Sequence, residues 1–224
     1  MQIAAVEPQD FRIRCSAVGS IMADPKEGQI LPQGAKTYVK KWYIEQTTGE
    51  QFFKGNKYTK KGWEVEDDAI EVYSEVTGYD QLVKNKKFFG NDFTEGTPDI
   101  LVGDDLVTDI KCPWHLDTFY KYSSYIPTAK YPAPNSNYFW QLQAYMLVAE
   151  RTKSELAYVL MNTPKHLLQS SQDIKQWINY EIEYSLKERV KIFVVDRSNS
   201  HICRIEERVK LCREYLSEII QQVN

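Results

Sequence analysis

Residues 96–113 read GTPDILVGDDLVTDIKCP, and this stretch decides the fold. Two short runs rich in aliphatic residues, 98–102 and 106–111, flank Gly103-Asp104-Asp105, and Pro113 stops the second run. Such spacing predicts a tight β-hairpin with a three-residue turn. Val102 then pairs with Leu106, and counting back along both strands sets Asp99 directly opposite Asp109. Like charges across a strand pair are destabilising, and they are tolerated where a cation sits between them or one acid stays protonated. Lys111 lies two residues beyond Asp109 and so projects from the same face. Two carboxylates and an ammonium converge at one spot, with an acidic turn and a snorkelling lysine as the plainer alternative.

Working outward, residues 62–77 place Val65, Ala69, Val72, Tyr73 and Val76 at helical spacing and stop at Gly78, which predicts an amphipathic helix just before the hairpin. Glu66 shares its apolar face, with Trp63 at i−3, Ala69 at i+3, Ile70 at i+4 and Tyr73 at i+7. An unpaired carboxylate there is costly, and a third inward acid is what an oxygen-ligand Mg²⁺ site requires. Asp67 and Asp68 point elsewhere as ordinary solvated acids. After the hairpin, residues 138–151 (YFWQLQAYMLVAER) predict a deeply packed helix on which Gln141 lies with Ala144, Tyr145 and Val148. That buried amide seeks a partner or caps a backbone group. Residues 155–162 read as a buried strand, residues 173–193 carry both strand-like and helix-like spacing, and residues 202–223 form a closing helix.

A chain of 224 residues, 42% hydrophobic and 26% charged, suits one α/β (α+β) domain with a real core. No apolar run approaches the ~20 residues of a membrane span, and Glu7 and Asp10 interrupt any secretory-type stretch, so a cytoplasmic protein is expected. Cys15, Cys112, Cys203 and Cys212 form no CxxC pair, and His115, His166 and His201 stand apart, which argues against zinc, iron–sulfur and Ser-His-Asp chemistry. A net charge of −3 excludes indiscriminate coating of nucleic acid, yet local basic clusters exist. KGNKYTKK supplies Lys54, Lys57, Lys60 and Lys61 without an acid, and KNKK follows at 84–87. Each cluster is either a phosphate grip or a solvated face. The Pro-rich YPAPNSNY at 131–138 reads as a loop.

Four motifs appear in one order: K-G-x-x-x-E (61–66), G-T-P-D (96–99), D-I-K-C-P (109–113) and Q-x-x-x-Y (141–145). In this the sequence resembles the PD-(D/E)XK nucleases, and within them the phage lambda exonuclease and YqaJ-like viral recombinase branch, over about residues 12–150. The resemblance implies a restriction-endonuclease-like core, a central mixed sheet flanked by helices, with 1–60 as a helical, phosphate-binding opening segment. It implies Mg²⁺, replaceable by Mn²⁺, held by Glu66, Asp99, Asp109 and the Ile110 carbonyl. Lys111 would orient or deprotonate the attacking water, with Gln141 and Tyr145 holding the lysine and its strand. Ser16 and Thr97 match positions that bind a 5′-phosphate, and Arg12 or Arg14 would stand in for the family's terminal-phosphate arginine. Asp109 departs from the Glu usual at that position. The implied activity is 5′→3′ exonuclease on linear double-stranded DNA, exposing 3′ strands for an annealing protein, with a trimeric ring as the implied assembly. An endonuclease or repair nuclease with the same site, and a non-catalytic DNA-binding module, are the alternatives.

Overall fold

The hairpin is one edge of a four-stranded sheet. A computed structural model of the protein describes residues 5–123 and 136–223, so most of the Pro-rich stretch at 131–138 lies outside the described residues. Strands β1 (Ile13–Arg14), β2 (Phe89–Gly90) and β3 (Thr94–Gly96) form a small sheet in the order β1-β3-β2. Strands β4 (Ile100–Val102), β5 (Leu106–Lys111), β6 (Lys153–Val159) and β7 (Val190–Asp196) form the larger one in sequence order. The helices are α1 (Val18–Ile21), α2 (Gln33–Thr48), α3 (Lys57–Thr77), α4 (Leu116–Ser123), α5 (Ser136–Val148), α6 (Ser171–Lys175), α7 (Tyr180–Glu183) and α8 (Asn199–Val223). Both sheets are mixed: β1 runs parallel to β3, β5 runs parallel to β6, and the other pairs are antiparallel. Among the described residues no helix is long and apolar enough to cross a membrane.

The hairpin register is Ile100↔Thr108, Leu101↔Val107 and Val102↔Leu106, the pairing that a turn at 103–105 requires. Gly103 takes the left-handed conformation of that turn, at φ 51°. Alternation along the strands then sorts side chains to two faces. Ile100, Ile110, Ala157 and Val159 pack with Val65, Ala69, Ile70 and Tyr73 of α3. Val107, Leu156, Tyr158, Phe193 and Val195 pack on the other side with Leu142, Ala144, Tyr145 and Met146 of α5. Helix α5 is buried nearly all round, which is why its sequence is apolar on several sides.

Several boundaries differ from those that the sequence pattern predicts. Helix α3 starts at Lys57 rather than at 62, because the Asn56 side chain accepts the backbone N–H groups of Tyr58 and Thr59 and closes a capping box. The lysine run is therefore largely helical. Residues 173–193 split into pieces: Ile182 sits in α7, Leu186–Arg189 form a 3₁₀ turn, and Val190 begins β7. The predicted strand at 155–162 begins two residues earlier, at Lys153, and ends at Val159.

Helix α8 fastens the opening segment to the core. Arg208 donates to the carbonyls of Ile21 and Ala23 at 2.9 Å each, and Arg213 donates to that of Phe11 at 3.2 Å. Helix α1 in turn lies hard against α5, where a methyl group placed on Gly19 would stand 2.6 Å from the Asn137 Cα. Backbone at that distance cannot yield cheaply. Gly19→Ala is therefore expected to lower stability by about 1–3 kcal/mol, despite the ~1 kcal/mol that alanine normally gains over glycine in a helix. Urea unfolding checks this, and a variant as stable as the wild type would show that the α1–α5 contact is looser than described.

Candidate active site

Strand β5 delivers Asp109 and Lys111 to the face covered by α5, and the residues just before β4 deliver Asp99 to the same place. Asp109 is 1% exposed, and its Oδ2 lies 2.6 Å from Lys111 Nζ. Its other oxygen, Oδ1, accepts from Gln141 Nε2 at 2.9 Å. The same Gln141 amide donates to the Tyr145 hydroxyl at 3.1 Å. Asp99 Oδ2 accepts the Ile110 backbone N–H at 2.7 Å. A strand residue's N–H and C=O leave the same edge of the strand, so the Ile110 carbonyl also faces the side where Asp99 sits. The Lys111 ammonium rests 5.0 Å from the centre of the Tyr138 ring.

The electrostatics follow from this packing. Burial first, and Asp109 second, hold the Asp99 carboxyl well above the usual carboxylate range, with Lys111 pulling the other way. Burial alone would lower Lys111, but Asp109 and Asp99 outweigh it and hold the ammonium above its ordinary value. Lys111 is thus charged at neutral pH. Burial pushes the Tyr145 phenol far up, so its hydroxyl is neutral and serves as Gln141's partner. Beside the site, burial pushes the Cys112 thiol up to about 12, which leaves it unreactive.

Helix α3 brings Glu66 to this end of the sheet from the opposite face. Glu66 acts on Asp99 and Cys112 electrostatically, so it stands near both. Its carboxylate, however, is ion-paired with Lys84 at 2.9 Å and is 15% exposed, and Trp63 is 59% exposed rather than on the apolar face. The expectation that Glu66 lies on the apolar face beside Trp63 is therefore corrected, and the partner its carboxylate has here is Lys84, from the KNKK run. Hard oxygen donors on Asp99, Asp109 and the Ile110 backbone are of the kind that suit Mg²⁺ or Mn²⁺. Among the described residues no three acids, histidines or cysteines are gathered closely enough to enclose an ion, and Glu66 is paired with Lys84.

The expected DNA contacts divide. Arg12, Arg14, Ser16 and Thr97 are exposed. Gly96 packs so closely on Cys15 that an added methyl would stand 3.1 Å from the Cys15 Cβ, so the chain segments that carry Ser16 and Thr97 run next to each other. Lys54 is exposed just ahead of α3 and Lys60 is exposed in its first turn. Lys57 is paired with Asp173 at 2.9 Å. Lys61 is 0% exposed, with Nζ donating to the Pro113 carbonyl at 2.6 Å, so its place in a surface grip is corrected. Gln141 donates to both Asp109 and the Tyr145 hydroxyl; the expected hold on the lysine runs from Gln141 through Asp109 instead. Sequence reasoning missed the roles of Lys84 and Tyr138, and for Lys84 the signal present was its place in a basic run beside Glu66's helix.

No protein-family model and no curated protein matches the chain. Among solved structures it is similar to a phage-related exonuclease from Haemophilus somnus 129PT, at 28% identity over 96% of this chain and 97% of that one, with a TM-score of 0.84. It is also similar to the alkaline exonuclease LHK-Exo from Laribacter hongkongensis, at 19% identity over 95% and 91% of the two chains, with a TM-score of 0.66. The complex of LHK-Exo with dAMP gives the same values. The mixed α/β architecture is thus that of these exonucleases, and the likeness supports a nuclease.

The opposed carboxylates make a stability test possible. A folded-state carboxyl whose pKa is raised stabilises the fold below its unfolded pKa and loses that contribution as pH rises through the folded value. At neutral pH and without divalent ions, Asp99→Asn removes the repulsion and keeps an acceptor for the Ile110 N–H. It is expected to be more stable than the wild type by roughly 1 kcal/mol, a gap that closes as the pH is lowered and Asp99 takes up its proton. Thermal melts in chelator across pH check this, and a less stable variant at neutral pH would deny the repulsion.

Proposed function

We propose that this protein is a Mg²⁺-dependent 5′→3′ exonuclease of linear double-stranded DNA. The observation that carries the reading is the opposition of Asp99 and Asp109 with Lys111 2.6 Å from the latter, on an exonuclease fold. Asp99, Asp109 and the Ile110 carbonyl would hold the divalent ion, and Glu66 joins them on letting go of Lys84. When bound, the ion neutralises charge on the scissile phosphate and lowers the pKa of water. Lys111, held protonated by its two acids, orients the attacking water and offsets charge as the phosphorus–oxygen bond breaks. Gln141 fixes Asp109, so that the carboxylate cannot swing away from Lys111.

The exposed Ser16, Thr97, Arg12 and Arg14 would take the 5′-phosphate of a DNA end, with Lys54 and Lys60 along the flanking duplex. A strand-annealing protein as recipient of the 3′ strands, and a ring-shaped homotrimer, belong to the same reading and rest on the family resemblance.

Incubation with linear and covalently closed duplex, with and without Mg²⁺, tests the activity. Linear DNA with a 5′-phosphate is expected to be degraded fastest, and closed circles to resist. Equal rates on linear and closed substrates would point to an endonuclease instead. Asp99→Ala and Lys111→Ala are each expected to reduce cleavage by about 10²–10⁴-fold while the fold is retained. Near wild-type digestion by either would place the chemistry elsewhere.

A binding test isolates Glu66. An ion that binds only the folded protein raises its stability by mass action, by about 2.7 kcal/mol at a hundred times Kd. Mg²⁺ is expected to raise the melting temperature of the wild type and to raise that of Glu66→Gln by less, with Asp67→Asn matching the wild type. Equal shifts in all three would remove Glu66 from the metal site.

A further inference from the structure

Lys61 is a lysine in the wrong place for a DNA grip. It is fully buried on the first turns of α3, and its ammonium donates to the carbonyl of Pro113, two residues beyond Lys111. Burial pushes its pKa down to about 8, with the nearby Cys112 thiol opposing slightly. The surroundings thus disfavour the charge, and an apolar side chain of the same length would be at least as stable there. What the lysine supplies is a directed bond.

That bond belongs to a clamp. Lys57 Nζ lies 5.1 Å from the centre of the Trp114 ring, and Tyr58 meets the same ring edge-on at 5.2 Å. Residues 57, 58 and 61 share one side of α3 and together grip residues 113–114, the exit of β5. Helix α3 also carries Glu66, while β5 carries Asp109 and Lys111. Strand β5 loses its regular pairing after Lys111, and Pro113 has no N–H to offer a neighbour. The bond to the Pro113 carbonyl is the hydrogen bond of this clamp, and with the Trp114 contacts it fixes where the strand leaves the sheet.

We infer that Lys61 is a positioning residue for the cleavage reaction: its bond to the Pro113 carbonyl sets Lys111 against Asp109 and fixes the Glu66 helix relative to them. The inference rests on the nuclease reading for its kinetic consequence, but the geometry it asserts stands apart from any activity. A grip on DNA phosphates would act on KM and on its salt dependence. A purely structural role would act on stability and leave the kcat of the folded enzyme unchanged. A positioning role acts on kcat.

The test compares Lys61→Met, which fills the space without a donor, with Lys61→Gln, whose amide can still donate to the Pro113 carbonyl. Steady-state cleavage of linear 5′-phosphorylated duplex with Mg²⁺ is measured beside thermal unfolding and the crystal structure of each variant. Lys61→Met is expected to melt at or above the wild-type temperature, keep KM and lose about tenfold or more in kcat, while Lys61→Gln recovers most of that loss. In the Lys61→Met structure, Lys111 is expected to leave its 2.6 Å contact with Asp109. Wild-type kcat in Lys61→Met, a change confined to KM, or failure of both variants to fold would each overturn the inference. Should the wild type itself cleave no DNA, the nuclease reading falls, and the structural arm still decides: an undisturbed Lys111 in Lys61→Met overturns the positioning role, and a displaced one supports it.

Discussion

Two carboxylates facing each other at the edge of a buried strand pair are the constraint on which the rest of the structure depends. Asp99 and Asp109 are brought together by backbone pairing, not by mutual attraction, and each must be compensated where it stands. The compensation comes from separate parts of the chain. Lys111 answers Asp109 from the same strand, the Ile110 N–H answers Asp99, and Gln141 reaches down from α5. Even so, Asp99 is held well above the usual carboxylate range, by burial first and by Asp109 second. The facing pair of carboxylates is the chemical reason for a cation-binding reading of this spot.

Helix placement follows from the same need. Helix α5 must come close enough for an amide to bond a carboxylate on the sheet, and its burial on nearly every side is the consequence. Helix α3 covers the opposite face, and from there Glu66 acts on Asp99 electrostatically. The Asn85 N–H donates to the Asp99 carbonyl at 2.7 Å, which sets the neighbouring Lys84 within reach of the Glu66 carboxylate.

What the sequence made legible was local. A two-residue period and a Gly-Asp-Asp turn fix the hairpin register, and from it the opposition of Asp99 and Asp109 follows by counting. Gln141 could be picked out because a polar residue on an apolar helix face needs a partner, although which partner was not visible. The misreadings were non-local or competitive. Glu66 meets Lys84 across 18 residues, a pairing no helical periodicity encodes. Gly62 invites a late helix start, but the two N–H groups capped by Asn56 outweigh it. Lysines at 57 and 61 read as surface by composition, yet one is paired and the other buried once α3 begins early. Strands of two residues, such as β1 and β2, are too short to leave a period at all.

Strand β5 is polar on both faces, and this bears on how its position is specified. Asp109 meets Gln141 on the α5 side, while Thr108 on the α3 side meets the Tyr73 hydroxyl at 3.2 Å. That hydroxyl also donates to Glu155 on β6, which Tyr79 reaches at 3.2 Å. Buried groups of this kind add little net stability over apolar packing, because desolvation offsets most of what their bonds return. They do penalise the wrong pairing. A slip of one residue would drive Asp109 into the apolar layer formed by Ile70, Ile100 and Val159, and would leave Gln141, Tyr73 and Glu155 without their partners. The polar layer therefore acts chiefly on register, and register is what the candidate site on β5 depends on: Asp109 and Lys111 face Asp99 only when every residue of the strand faces the side it faces here.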